Sequence, residues 1–66
     1  MPTDVEIEEK WFSVRSDRNG LLAASDWSQL PDVPVDKQVW AKYRQALRDV
    51  TKQPDPFAIV WPVEPA

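Results

Sequence analysis

Two prolines, Pro31 and Pro34, lie inside the stretch from Ser25 to Pro34, which reads Ser-Asp-Trp-Ser-Gln-Leu-Pro-Asp-Val-Pro and separates two segments with helical patterning. Proline locks φ and drives the residue before it into extended conformation, so neither flanking helix can run through this stretch. It also carries Trp27, Leu30 and Val33. A solvated connector gains nothing from three large apolar side chains, so the segment reads as a structured corner pinned between the helices. Four further prolines, at 54, 56, 62 and 65, surround the apolar run Phe57-Ala58-Ile59-Val60-Trp61. They stop a second helix and hold the tail extended.

Within those limits the first helix opens on Thr3-Asp4-Val5-Glu6, the T-x-x-E form of a capping box. Acidic side chains at 4, 6, 8 and 9 suit the positive end of its dipole. From Ile7 the apolar positions fall at Trp11, Val14, Leu21 and Leu22, with Arg18 interposed, at helical and not alternating spacing. Asn19-Gly20 is a strong hairpin signal, yet Leu21-Leu22-Ala23-Ala24 is a poor strand. A helix continuing through Gly20 is expected, with a break there as the alternative. After the corner, Asp36 is the expected N-cap, and Val39, Trp40, Tyr43, Ala46, Leu47 and Val50 form a second apolar stripe.

The expected fold is therefore all-α: a small two-helix antiparallel hairpin with an extended proline-rich C-terminal segment packed across it. The boundaries read as one domain, 1–66, with a helix over about 4–25, the corner over 26–35, a helix over about 37–51 and the tail over 54–66. Phe57, Ile59 or Trp61 would close the hairpin as a lid; the rival is a free proline-rich ligand for another protein's aromatic groove.

Composition removes whole classes of function. Sixty-six residues make one small domain close to the lower limit for independent folding. Without cysteine there are no disulfides or thiolate metal sites, and without histidine the usual general base and metal ligand are missing. A formal charge of −3 argues against a dedicated nucleic-acid binder. No apolar run is long enough for a membrane span, and the acidic start does not resemble a signal peptide. A soluble protein not secreted by the general route is expected, with no cofactor and no metal.

Candidate chemistry is correspondingly thin. Ser13, Ser16, Ser25 and Ser28 have no histidine to activate them, and Asp26, Asp32 and Asp36 match no calcium loop. No nucleophile, base and orienter can be assembled, so an enzyme is not expected. Arg18, Arg44 and Arg48 would form a basic patch if left exposed, or would pair with Asp26, Asp32 or Asp49 or stack on a tryptophan. Trp11, Trp27, Trp40 and Trp61 are many for so short a chain. Each indole buries roughly 150–250 Å², so they serve either as core or, in part, as anchors for a partner.

The order of motifs adds a resemblance. Arg18-Asn19-Gly20-Leu21-Leu22, Ser25-Asp26-Trp27, Leu30-Pro31-Asp32-Val33-Pro34, Trp40 with Tyr43-Arg44-Gln45-Ala46-Leu47-Arg48-Asp49, and Val60-Trp61-Pro62 with Pro65 follow one another between Trp11 and Pro65. This series resembles the phage tail assembly chaperone family and the similar C-terminal segment of phage tail fibre assembly proteins. Gly20 departs from the pattern, standing where a helix former is more usual, as does the lack of the usual threonine cap before the second helix. The resemblance implies a non-enzymatic helper that binds a phage tail or tail-fibre protein in the cytoplasm of the host bacterium. The alternative is a small structural component retained in the tail or baseplate. Partner-binding candidates are Trp27, Leu30, Pro31, Val33, Arg44, Trp61 and Pro62.

Overall fold

The computed structural model describes residues 1–65 and is all-helical, with no strand among them. Helix α1 spans Asp4–Ala24 and helix α2 spans Lys37–Asp49. Short 3-10 helices follow each of them, Asp26–Gln29 and Val50–Lys52.

Both helix starts have the local chemistry expected of them. The Thr3 hydroxyl accepts the Glu6 backbone N–H at 3.2 Å, while the Glu6 carboxylate accepts from the Thr3 backbone, which closes the capping box. At α2 the Asp36 carboxylate accepts the N–H groups of Gln38 and Val39. Leu30, preceding Pro31, is extended at φ −70° and ψ 152°, as the steric clash with the proline ring requires.

Helix α1 runs unbroken through Gly20. A methyl group added there would meet no atom within 4 Å, so nothing in the fold requires the glycine for space. Helical glycine costs about 1 kcal/mol relative to alanine through backbone entropy. Gly20→Ala is therefore expected to raise the thermal midpoint by about 4–8 °C, read by circular dichroism. An unchanged or lowered midpoint would show that the glycine has a structural role.

The end of α1 is satisfied without a left-handed glycine, since no described residue has positive φ. Ser25 does the work locally: its hydroxyl donates to the carbonyls of Leu21 and Leu22 at 2.9 and 3.1 Å. Arg44 completes the cap from α2, donating through Nη1 to the Leu22 carbonyl at 2.6 Å and to the Ser25 hydroxyl at 2.8 Å. The last turn of α1 contains no basic side chain of its own, so Arg44 also supplies the cation that the negative helix end favours.

The core is small and belongs mainly to α2. Trp40, Tyr43, Leu47 and Val50, spaced by three, four and three residues, are buried; α1 contributes Val14. Leu22, Val35 and Trp61 pack against the Trp40, Tyr43 and Leu47 cluster. The rest of the apolar stripe read from the sequence is less protected. Leu21 keeps 40% of its surface exposed and Val39 keeps 45%. One tryptophan, Trp40, is buried, while Trp11 and Trp61 are half-buried and Trp27 is exposed.

At 1.5 Å per residue, the 21 residues of α1 reach about 31 Å against about 20 Å for the 13 of α2. The start of α1 therefore outruns its packing partner, and residues 1–6, 8 and 9 are exposed within a molecule 47 Å long.

After α2 the chain is turned by its own polar groups. Asp55 accepts the Phe57 N–H on its side chain and the Ala58 N–H on its carbonyl, an Asx turn between two prolines. The Gln53 amide then pairs with both backbone groups of Val60, at 3.0 Å each, as a neighbouring strand would. This closure delivers Trp61 to the core cluster. The burial of Tyr43 raises the pKa of its phenol, and the Glu64 carboxylate raises it further.

Candidate functional site

The corner is held by buried polar groups beneath and aromatic packing above. Ser28 is fully buried, donating its hydroxyl to the Ser25 carbonyl at 2.6 Å and accepting from the Gln29 amide. Gln29 also reaches the Lys37 carbonyl at the start of α2. Above these contacts, the Trp27 indole meets Trp40 edge-on with centroids 5.0 Å apart, and Trp40 meets Tyr43 in the same manner at 5.8 Å. The stack fixes Trp27 while leaving 43% of it exposed.

Beyond Trp27 the chain presents Leu30, exposed by 57%, then exposed Pro31 and half-buried Val33. These side chains are apolar and lie on a segment constrained by prolines, so little conformational entropy is left to lose on binding. Arg44 approaches the same corner from α2 but points inward. Its side chain is 11% exposed, and besides its bonds to Leu22 and Ser25 it pairs with Asp26 at 2.7 Å. Of the partners the sequence left open for the arginines, Asp26, Asp32, Asp49 or a tryptophan face, Arg44 takes Asp26.

Trp61 and Pro62 belong to a different surface. Trp61 forms one wall of an open groove of about 510 Å³ along α1, whose other lining residues are Ser16, Asp17, Gly20 and Leu21. Pro62, half-buried, is next to it. A smaller groove of about 140 Å³, lined by Lys10, Val14, Pro56, Phe57 and Ile59, shares Asp17 and Trp61 with the first. The structure thus gathers Trp27, Leu30, Pro31, Val33 and Arg44 at one corner and seats Trp61 and Pro62 elsewhere.

Sequence reasoning did not find Ser16 and Asp17, which fall on the polar face of the helical pattern and become groove residues through the position of Trp61. One signal was available: a helical glycine with no turn to make marks a place where another group can approach the backbone. Among the described residues no group of three or more Asp and Glu side chains is placed to hold a metal ion. No helix among them is long and apolar enough to cross a membrane.

These features define a small all-helical module with aromatic and aliphatic side chains gathered at a corner and along a groove. A family model described as phage tail assembly chaperone protein matches residues 11–66, and the chain belongs to that family. No curated protein and no solved structure matches the chain.

Proposed function

We propose that this chain is a non-enzymatic assembly chaperone that binds a phage tail or tail-fibre protein inside the host bacterium and shields a surface of it until assembly. In this reading α1 and α2 fold back on each other as an antiparallel hairpin, and the proline-rich segment lies across it. Family membership over residues 11–66 is the observation that carries the proposal. The exposed apolar corner at Trp27, Leu30, Pro31 and Val33 supports it, because a chaperone needs a preorganised binding surface and no reactive group. Arg44 takes part by holding the corner in shape, through its bonds to Ser25 and Asp26. Trp61 and Pro62 extend the contact along α1.

Co-expression with the tail-fibre chain tests the reading. Soluble, trimeric fibre should depend on this protein, and mass spectrometry of purified particles should find it absent. Unchanged fibre assembly without it, or stoichiometric amounts in the particle, would overturn the proposal. Leu30→Asp separates binding from folding. With Leu30 exposed, the melting midpoint should move by no more than a few degrees, while fibre binding weakens by about tenfold or more. A large loss of helical signal in that variant would make Leu30 a core residue.

A further inference from the structure

The groove between α1 and Trp61 combines features that a purely apolar side chain would not use. Its walls are the Trp61 indole and the Leu21 side chain, its floor is opened by Gly20, and its polar rim is Ser16 and Asp17. The two ion pairs among the described residues are Arg44 with Asp26 and Lys52 with Asp49, so the Asp17 carboxylate has no ion-pair partner there. Neighbouring cations do not fill the role. Arg18 bonds to Asn19, and Lys10 lines the adjoining smaller groove without pairing with Asp17.

A carboxylate beside an indole wall selects a group that is positively charged, planar and weakly hydrated. Guanidinium satisfies all three requirements, stacking on the ring while donating to the carboxylate; an ammonium is compact and more strongly hydrated. The missing Cβ at Gly20 leaves room for the flat group and its aliphatic stem against the helix backbone.

We infer that the groove lined by Ser16, Asp17, Gly20, Leu21 and Trp61 is a docking site for an arginine side chain presented by the partner polypeptide. The identity of that polypeptide rests on the proposed chaperone function; the preference for arginine rests on the groove alone. Its contribution is a second point of attachment, separate from the apolar corner, that selects partners carrying an arginine at the right place.

An isotope-labelled sample of the full chain, titrated with N-acetyl-leucyl-arginine amide, tests this by nuclear magnetic resonance. The signals to follow are the amide of Gly20, the chain's single glycine, and the Trp61 indole N–H, identified with Trp61→Phe. The arginine compound should shift both signals, and its citrulline and lysine analogues should bind about tenfold more weakly. Asp17→Asn should reduce arginine binding to the citrulline level, and Gly20→Leu should abolish it by filling the floor, both variants melting at or above the wild-type temperature.

Equal responses to arginine and citrulline, or to arginine and lysine, would overturn the assignment. So would an Asp17→Asn variant that binds normally. A Gly20 shift that follows protein concentration without any added compound would assign the groove to a second copy of this chain instead. If Asp17→Asn still supports tail-fibre assembly fully, the groove has no part in partner choice while the chaperone reading stands. Arginine binding without any effect of the protein on fibre assembly would retain the groove and overturn the chaperone reading.

Discussion

Leu47→Ala is expected to abolish most of the folded population. Leu47 is fully buried at the centre of the Trp40 and Tyr43 cluster. Truncating a buried leucine costs the lost transfer energy plus the cavity left behind, about 3–4 kcal/mol where neighbours cannot collapse inward. The neighbours here are an indole and a phenol locked in edge-on contact, and they cannot fill a branched aliphatic space without breaking that geometry. A single core of this size supplies about 3–5 kcal/mol in all, so one such cavity removes nearly the whole margin. Helical signal in circular dichroism should fall sharply, with the midpoint of any residual transition lowered by about 20 °C. A stable Leu47→Ala variant would mean that the cluster is not the core on which the helices depend.

Arg44→Ala should be the most damaging substitution of a charged residue. The side chain leaves two kinds of loss behind it. At the inner end, the Leu22 carbonyl and the Ser25 hydroxyl lose a charge-assisted donor in a part-buried site. Hydrogen bonds to a charged group contribute about 1.5–3 kcal/mol, and the loss falls toward the lower end because the Leu22 carbonyl keeps the Ser25 backbone and hydroxyl donors. At the outer end the partner is Asp26, whose side chain is 69% exposed, and a pair so open to water contributes less than about 1 kcal/mol.

The two ends can be separated by experiment. Asp26→Asn should lower stability by a fraction of the Arg44→Ala effect, and raising the salt concentration should shrink the Asp26 share but not the remainder. Arg44→Lys should recover little, because an ammonium cannot reach carbonyl, hydroxyl and carboxylate in one planar fork. Chemical denaturation gives the free energies directly. Equal losses in Asp26→Asn and Arg44→Ala would place the whole effect in the ion pair and refute the capping role.

Phe12 and Val5 lie off the apolar stripe that helical spacing defines, and their exposure shows how much apolar surface this chain leaves uncovered. Both lie in α1 yet remain exposed, by 74% and 63%, because they face away from Val14 and no described element covers them. The pattern at Ile7, Trp11, Val14, Leu21 and Leu22, with Arg18 interposed, was readable as a stripe, but how much of it is buried depends on how much chain is available to cover it. Helix α2 is too short to cover all of α1, and beyond it Phe57 and Ile59 share only the lining of a groove with Lys10 and Val14. The four tryptophans had the same ambiguity. Trp40 is core, and Trp27 is fixed by Trp40 yet open to a partner. Composition could count the indoles but could not divide them between those roles.

What the chain determined by itself was everything that acts within about four residues: the Thr3–Glu6 box, the Asp36 cap, the helical stripe of α2, and the stops imposed by prolines. Those interactions are steric or hydrogen-bonded to near neighbours, so residue type and spacing suffice to specify them. Tertiary structure alone decided that Arg44 closes the end of α1 across 22 residues of sequence, and that Trp61 meets Asp17 and Gly20 to form a groove. Contacts of that range exist only once helices have packed and the segment after them has turned. Before that, Arg44, Asp17 and Gly20 are three unconnected positions on the faces of two helices.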